Sequence, residues 1–288
     1  MGQEPIANWI HRVTEASQLF LQQNGPHCWL IKQSIFTHFQ RLAALSVMPW
    51  FQALRGAILD IGAGTGALSL DLAWGAGANG FVTAIDQDTQ ALEIARSLAE
   101  RVGLRIAVLP GDVSALPVED ATQDLAIARF LFQHLPDPTA ALLQMRRVTR
   151  PGGRIAIIDV DDSISLSEPS GSNQLAALRN AIRIAQLQRG GNRLIGRELY
   201  RLMRDVGLTS IEVIVVPRVR LGLQSGRSAK GEEYQIERLL TERERLVSSG
   251  LMTARDFDLA VTETEQRFAQ DLFEMEAEFI ATGLVPAA

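Results

Sequence analysis

Three glycines, spaced two residues apart, follow a short apolar run that contains one carboxylate. The carboxylate is Asp60, and the glycines are Gly62, Gly64 and Gly66. Because glycine has no side chain, such a turn between a strand and a helix lets a ligand lie against backbone N–H groups. The spacing fits the dinucleotide motif and also the tighter motif of nucleoside cofactors that lack a pyrophosphate. The turn therefore predicts a nucleotide or nucleoside site without choosing between them.

Two further carboxylates narrow the choice of ligand. Asp86 ends the next apolar run, about 20 residues after the turn, where a carboxylate can accept hydrogen bonds from ribose hydroxyls. Asp112 follows the third apolar run, where it can accept from an adenine amino group while the next N–H serves a ring nitrogen. Dinucleotide sites do not require this second acid. Both aspartates can also be plain turn residues, and a buried Asp60 needs partners such as loop N–H groups or a cationic ligand.

The elements around these residues alternate between short apolar runs and helical periodicity from residue 57 to residue 160. This alternation predicts an α/β fold with a mostly parallel sheet that helices cover on both faces. The predicted strands are 57–61, 81–86, 105–109, 124–130 and 154–160, followed by 209–216 and 277–285.

Helical additions flank this core. We expect an N-terminal helical cap at 1–50, a core at 51–220 with a helical segment at 172–206, and a helical insertion at 221–275. The insertion is predicted to contain a Gly- and Ser-rich loop at 221–231 and helices at 234–248 and 253–274. Residues 276–288 are predicted to return to the core as its final strand.

The composition excludes several classes of protein. The chain has 288 residues, of which 47% are hydrophobic and 21% charged, which is typical of a globular protein. Its net charge of −5 argues against a dedicated nucleic-acid binder. It shows neither a signal-peptide pattern nor an apolar run of the ~20 residues that span a membrane. A single cysteine, Cys28, permits no internal disulfide. We therefore expect a cytoplasmic protein without nucleic-acid or membrane partners, and a homodimer is compatible with the sequence.

Taken together, the motifs resemble the class I S-adenosylmethionine-dependent methyltransferases, in the small-molecule branch that includes ubiquinone/menaquinone biosynthesis. The resemblance covers residues 55–160, with motifs at 59–66, 84–86, 111–113, 129–138 and 146–159 in the family's order. It implies a Rossmann-like sheet of seven strands in the order 3-2-1-4-5-7-6, with strand 7 antiparallel. It also implies S-adenosyl-L-methionine as cofactor and S-adenosyl-L-homocysteine as product.

The resemblance assigns cofactor contacts to particular residues. Asp60 and the glycine turn would meet the methionine end, Asp86 the ribose, and Asp112 with the Val113 N–H the adenine. Arg129 would line the cofactor near the sulfonium. The complete predicted cofactor-binding set is Asp60, Gly62, Ala63, Gly64, Gly66, Asp86, Gln87, Asp112, Val113 and Arg129.

Methyl transfer from a sulfonium needs alignment and exclusion of water rather than a nucleophilic side chain. His134 is the candidate general base, and it can instead fix the loop before the next helix. Trp29, Asp162 and Arg197 are candidate substrate contacts. As alternatives, Trp29 can belong to the core, Asp162 to a solvated turn and Arg197 to the solvated face of a helix. We predict no metal site.

The sequence as a whole predicts a methyltransferase for a small-molecule acceptor, with oxygen favoured over carbon or nitrogen. An RNA or protein methyltransferase on the same core is one alternative. A non-catalytic relative that binds the cofactor is a second, and a nicotinamide dehydrogenase is a third.

Overall fold

The central feature of the computed structural model is one seven-stranded sheet. The model describes residues 4–21, 27–46, 48–221, 233–268, 270 and 272–287, so most of the predicted loop at 221–231 lies outside the described residues. The strand order is β3-β2-β1-β4-β5-β7-β6, and β7 runs antiparallel to both of its neighbours. This confirms the predicted fold class. The strands are β1 (Gly56–Ile61), β2 (Gly80–Asp86), β3 (Ile106–Pro110), β4 (Gln123–Arg129), β5 (Thr149–Glu168), β6 (Thr209–Leu221) and β7 (Phe273–Leu284).

Helices cover both faces of this sheet. Successive residues of β1 point to opposite faces, so Ile58 packs into one core with the N-terminal helices, while Leu59 packs into the other. The described helices are α1 (Ile6–Leu21), α2 (Cys28–Phe36), α3 (His38–Ser46), α4 (Ala67–Ala76), α5 (Thr89–Arg101), α6 (Pro138–Val148), α7 (Asn173–Gln188), α8 (Leu199–Asp205), α9 (Glu233–Ser248) and α10 (Ala254–Arg267). Among the described residues, no helix is long and apolar enough to cross a membrane.

Strands β5, β6 and β7 extend well beyond their predicted ends. The prediction of helix as far as residue 274 is wrong, because α10 ends at Arg267 and β7 already begins at Phe273. The segment that follows Phe273 alternates acidic and apolar residues, a period of two that favours a strand. Its acids are opposite arginines of β6, since Arg218 pairs with Glu276 and Arg220 with Glu274 across the ladder. These ion pairs stabilise the extension.

A buried carboxylate joins the N-terminal helices to α4, the helix that leaves the glycine turn. Asp71 accepts hydrogen bonds from Trp9 Nε1 at 2.9 Å, from His38 Nε2 at 2.7 Å and from Arg41 Nε at 2.5 Å. Burial alone would raise the pKa of Asp71, but Arg41 and His38 outweigh it and lower that pKa. The Trp9 ring also stacks on Trp74 at 5.7 Å. The N-terminal helices are therefore fixed against the core by specific contacts.

Candidate active site

A cavity of ≈ 780 Å³ lies at the carboxyl end of the parallel strands, and its size is typical of a small-molecule site. Open α/β sheets bind their ligands at this edge. One end, which we call the glycine-turn half, is lined by residues 62–65 with Asp60, Asp86 and Arg129. The other end, the arginine half, is lined by α7, α9 and the extended parts of β5, β6 and β7. Helices α2 and α3 contribute residues to the same cavity.

The glycine turn has the open backbone that the sequence predicts. Gly64 has a φ of +52°, and a Cβ added there would meet nothing within 4 Å, so a ligand can approach its backbone. Gly66 has a φ of +81°, and its missing side chain leaves room for Ala95. A Cβ added at Gly66 would lie only 2.6 Å from the Cβ of Ala95. Gly64 therefore keeps the ligand side of the turn clear, and Gly66 allows α5 to pack against it.

Asp60 and Asp86 are both at the glycine-turn half but in different environments. Asp60 is 1% exposed and accepts one side-chain hydrogen bond, from Ser69 Oγ at 2.5 Å. Burial raises the pKa of Asp60 to about 7. Asp86 accepts one backbone N–H on each oxygen, from Gly64 at 2.8 Å and from Asp88 at 2.9 Å. Asp86 is thus oriented by the turn itself, whereas Asp60 is a buried acid that a cation would stabilise.

Two arginines lie near Asp60, and each has an unpartnered nitrogen. Arg41 Nη2 and Arg129 Nε are buried and have no hydrogen-bond partner among the described residues. Both cations act to lower the pKa of Asp60 and both line the cavity. Arg129 also pairs with Glu278 at 3.2 Å, and its Cζ lies 3.9 Å from the centre of the Phe130 ring. A buried acid beside guanidinium groups that each keep one unpartnered nitrogen suits a ligand with an ammonium and a carboxylate.

Some predicted cofactor residues lie outside the lining of the cavity, namely Gly66, Gln87, Asp112 and Val113. Asp112 Oδ1 accepts from the Ser114 N–H at 2.7 Å and from Ser114 Oγ at 2.6 Å, and these bonds hold its pKa below the usual range. Val113 is buried in the core cluster with Leu59. Asp112 therefore stabilises the turn that follows β3. Binding of adenine at this position stays a prediction.

His134 lines the cavity, but its geometry argues against the predicted role of general base. The Gln186 amide donates to the Gln133 carbonyl at 2.6 Å and lies 3.2 Å from His134 Nδ1. The carbonyl fixes the amide as a donor, so Nδ1 accepts and the imidazole proton is on Nε2. Burial and the cations of Arg193, Arg189 and Arg238 lower the pKa of His134 to about 4. His134 is thus a weak base that can donate a hydrogen bond.

The three predicted substrate contacts have different outcomes. Trp29 and Asp162 both line the cavity. Arg197 lies outside the lining, and Asp161 binds its guanidinium at 2.5 and 2.8 Å, so contact of Arg197 with the substrate stays a prediction. Its neighbour Arg193 lines the cavity instead and is held by both oxygens of Asp162. The basic run of the sequence therefore does reach the cavity, four residues earlier than predicted.

Sequence reasoning missed other residues of the cavity. Phe130 follows β4 with a φ of +56°, which is rare outside glycine, and no sequence signal announces it. On α7, Arg179 and Arg183 are one helical turn apart and both line the cavity. The sequence could have indicated this pair, because residues four apart on a helix lie on the same face. On α9, Tyr234 and Arg238 line the cavity in the same way, and the Tyr234 ring stacks on Phe36 at 6.0 Å.

Comparison with known proteins agrees with this geometry. A family model described as a methyltransferase domain matches residues 59–157. A malonyl-[acyl-carrier protein] O-methyltransferase of Erwinia pyrifoliae is 31% identical over 192 residues, which cover 63% of this chain and 70% of that protein. The chain belongs to the class I S-adenosylmethionine-dependent methyltransferases. This confirms the family and the cofactor that the sequence motifs implied.

Two other matches concern a shorter stretch of the sequence and the fold. The ubiquinone/menaquinone biosynthesis C-methyltransferase of Burkholderia cenocepacia is 33% identical over 118 residues, covering 41% of this chain and 46% of that protein. The chain spans about half the length of the curated relatives that it matches first. A phosphoethanolamine N-methyltransferase of Haemonchus contortus, solved with phosphomonomethylethanolamine and S-adenosylhomocysteine, has a TM-score of 0.52 at 18% identity. That alignment covers 94% of this chain and 60% of the other, and it shows a shared fold.

Proposed function

We propose that this protein transfers the methyl group of S-adenosylmethionine to an oxygen atom of a small molecule. The observation that supports this is the single cavity that joins the glycine-turn half to the arginine half. A cofactor bound at the first half and an acceptor bound at the second would lie in one cavity. Such an arrangement holds two reactants close together, which is a main requirement of an in-line displacement.

The glycine-turn half fits the cofactor by the chemistry of its residues. Asp60 would accept from the ammonium of the methionine moiety, and the unpartnered Arg41 Nη2 would donate to its carboxylate. Asp86, already oriented by two backbone N–H groups, would accept from the ribose hydroxyls. When bound, the cofactor supplies an electrophilic methyl group on a positively charged sulfur.

The lining residues support oxygen as the acceptor atom. His134 is a weak base, and Asp161 and Asp162 are both paired with arginines. None of these three residues is therefore a strong base. An oxygen that is already anionic at neutral pH needs no base before it attacks. His134 Nε2–H and the arginines can donate hydrogen bonds that orient such an acceptor.

A thermal-shift measurement tests the cofactor part of the proposal. S-adenosylhomocysteine at about a hundred times its dissociation constant stabilises a binding protein by about 2.7 kcal/mol, which raises the melting temperature of a chain of this size by roughly 5 °C. NADH at the same concentration should leave it unchanged. A shift with NADH and none with S-adenosylhomocysteine would overturn the proposal.

The acceptor atom is tested with cofactor whose methyl carbon carries ¹³C. The protein is incubated with a small-molecule extract, and the labelled product is examined by NMR. Methyl carbons attached to oxygen, nitrogen and carbon have distinct chemical shifts. We expect the label on oxygen, and a labelled methyl group on carbon or nitrogen would contradict that part of the proposal.

A further inference from the structure

Arginines are concentrated in one half of the cavity, although the chain as a whole has a net charge of −5. They project from two helices, α7 and α9, and from β6 and the loop after α7. Six of those that line the cavity are Arg179, Arg183, Arg189, Arg193, Arg218 and Arg238. A local concentration of one charge, opposite in sign to the whole molecule, raises the concentration of ligands of the other sign.

Some of these arginines are neutralised by the protein itself and others are not. Arg193 is paired with Asp162, and Arg218 is paired with Glu276. By contrast, Arg179, Arg183, Arg189 and Arg238 make no ion pair with any residue in the described part of the chain; Arg183 donates to the neutral Asn180 side chain at 2.8 Å. The arginine half therefore has more guanidinium groups than the protein's own carboxylates satisfy.

Arg238 interacts with several other charged groups of the cavity. Burial and the nearby cation of Arg193 lower the pKa of Arg238. Arg238 lines the cavity together with His134 and Glu276, and it acts electrostatically on both of them. Glu276 interacts with Arg218, Arg238 and Arg179, and these cations outweigh the effect of burial and lower its pKa. One carboxylate thus faces three cations, and burying such a surplus is unfavourable until an anion joins it.

The two helices that present these arginines are fixed relative to each other. Leu178 of α7 and Leu239 of α9 are buried in one apolar cluster together with Phe257 of α10. Arg179 and Arg238 directly adjoin these two leucines in the sequence. Their guanidinium groups are therefore carried by a packed frame rather than by loops, which lowers the entropy lost when they bind a ligand.

We propose that the methyl acceptor carries an anionic group, a carboxylate or a phosphate, which Arg179 and Arg238 bind in the arginine half of the cavity. This rests on the proposed function, because it names the substrate class of the same site. Guanidinium groups suit both anions, since their planar N–H donors match two oxygens at once. The anionic group anchors the acceptor at one end, and the glycine-turn half holds the cofactor at the other.

The experiment uses calorimetric titration of the full chain after it has been saturated with S-adenosylhomocysteine. The probes are malonate, inorganic phosphate and, as a neutral counterpart, malonamide, with chloride adjusted to constant ionic strength. We expect the wild type to bind malonate or phosphate and not malonamide. Arg238→Gln and Arg179→Gln should each weaken that binding about tenfold or more, because each removes a charged hydrogen-bond donor. The stronger of the two anions distinguishes a carboxylate from a phosphate substrate.

Arg243→Gln is the matched control, because Arg243 is also on α9 but is exposed and pairs with Asp258 outside the cavity. It should leave anion binding within about twofold of the wild type. All variants should bind S-adenosylhomocysteine as the wild type does, which verifies their fold. If the wild type binds the cofactor product but neither anion, or if both cavity variants bind anions like the wild type, this inference is overturned and the proposed function stands. If S-adenosylhomocysteine itself does not bind, the proposed function fails instead.

Discussion

The two halves of the cavity are built in different ways. The glycine-turn half is made by short turns that directly follow β1, β2 and β4, and much of its hydrogen bonding is between the backbone and nearby carboxylates. The arginine half is assembled from long side chains on α7, β6 and α9, which are far apart in the sequence. The proposed cofactor site is therefore a local motif, whereas the proposed acceptor site is a tertiary assembly. We expect that one half can be changed while the other keeps its ligand.

The largest effect is expected from Asp71, the buried carboxylate that joins the N-terminal helices to α4. Asp71→Ala leaves the buried guanidinium of Arg41 without its partner, which should lower the free energy of unfolding by about 3–5 kcal/mol. Urea denaturation of the variant and the wild type measures this. Asp258→Ala removes an exposed carboxylate whose partner is also exposed, and it should cost far less. Equal losses in the two variants would show that the Asp71 cluster does not fix the N-terminal helices.

The second prediction separates the two halves directly. Asp86→Ala should weaken binding of S-adenosylhomocysteine on the order of a hundredfold, because two charge-assisted hydrogen bonds of about 1.5 kcal/mol each are lost. Binding of malonate or phosphate should stay within about twofold, since the arginine half is unchanged. Calorimetric titration measures both. Asp120→Ala, which removes an exposed partner of Arg147, is the control. Parallel losses of both ligands would mean that the halves are not independent.

The third prediction concerns pH and also belongs to the glycine-turn half. The pKa of Asp60 is about 7, so at pH 6 most molecules hold a neutral acid that cannot pair with the ammonium of the ligand. Affinity for S-adenosylhomocysteine should therefore fall about tenfold between pH 8 and pH 6. The stability of the free protein should change with pH in the opposite direction. Folded Asp60 keeps its proton at pH values where the unfolded chain, with the ordinary pKa of 3.8, has already lost it. The stability that this adds to the fold is fully present below pH 3.8 and is lost as the pH rises to about 7.

Asp60→Asn provides the control for this pH dependence. The amide cannot ionise, so the variant should bind the ligand more weakly and with an affinity that is nearly constant from pH 6 to pH 8. Asp159 also has a pKa raised by burial to about 7, but it lies outside the cavity lining. If the variant keeps the pH dependence of the wild type, the titrating group is not Asp60.

The smallest effect is expected at the boundary between the halves. His134 has a pKa of about 4, so its imidazole should stay neutral as the pH falls from 8 to 5. NMR of the ring C–H signals measures this titration. Arg238→Gln removes one of the three cations that act on His134 and should raise its pKa by about a few tenths of a unit. A His134 that titrates near 6.5 in the wild type would restore it as a candidate base.

The sequence predicted the glycine-turn half well because its determinants are local. The apolar run, the glycines and Asp86 lie within one strand–turn–helix–strand unit, and the structure places Asp60, Gly62, Gly64 and Asp86 in the lining of one cavity. It predicted the strand order through the family resemblance, and the comparisons confirm that family. These features depend on backbone geometry that neighbouring residues set.

The arginine half was predicted poorly because its determinants are not local. Arg197 was expected to contact the substrate, but the buried carboxylate of Asp161 binds it, and this pairing depends on how the segment before α8 packs against β5. The last helix was predicted to run to residue 274, although Phe273 and Glu274 already belong to β7, whose acids pair with arginines of β6. Periodicity alone does not reveal a partner strand that lies 54 residues away, as Arg220 does from Glu274.

The position of β7 has a consequence for the order in which the molecule is built. It is the last strand among the described residues, yet it lies between β5 and β6 in the sheet. During synthesis, β6 therefore has no neighbouring strand to pair with until residues 273–284 have been made. The glycine-turn half needs strands that end by Glu168 and can form earlier. The strands around the glycine-turn half could thus pair first during synthesis, and the arginine half would be completed only after β7 has been made.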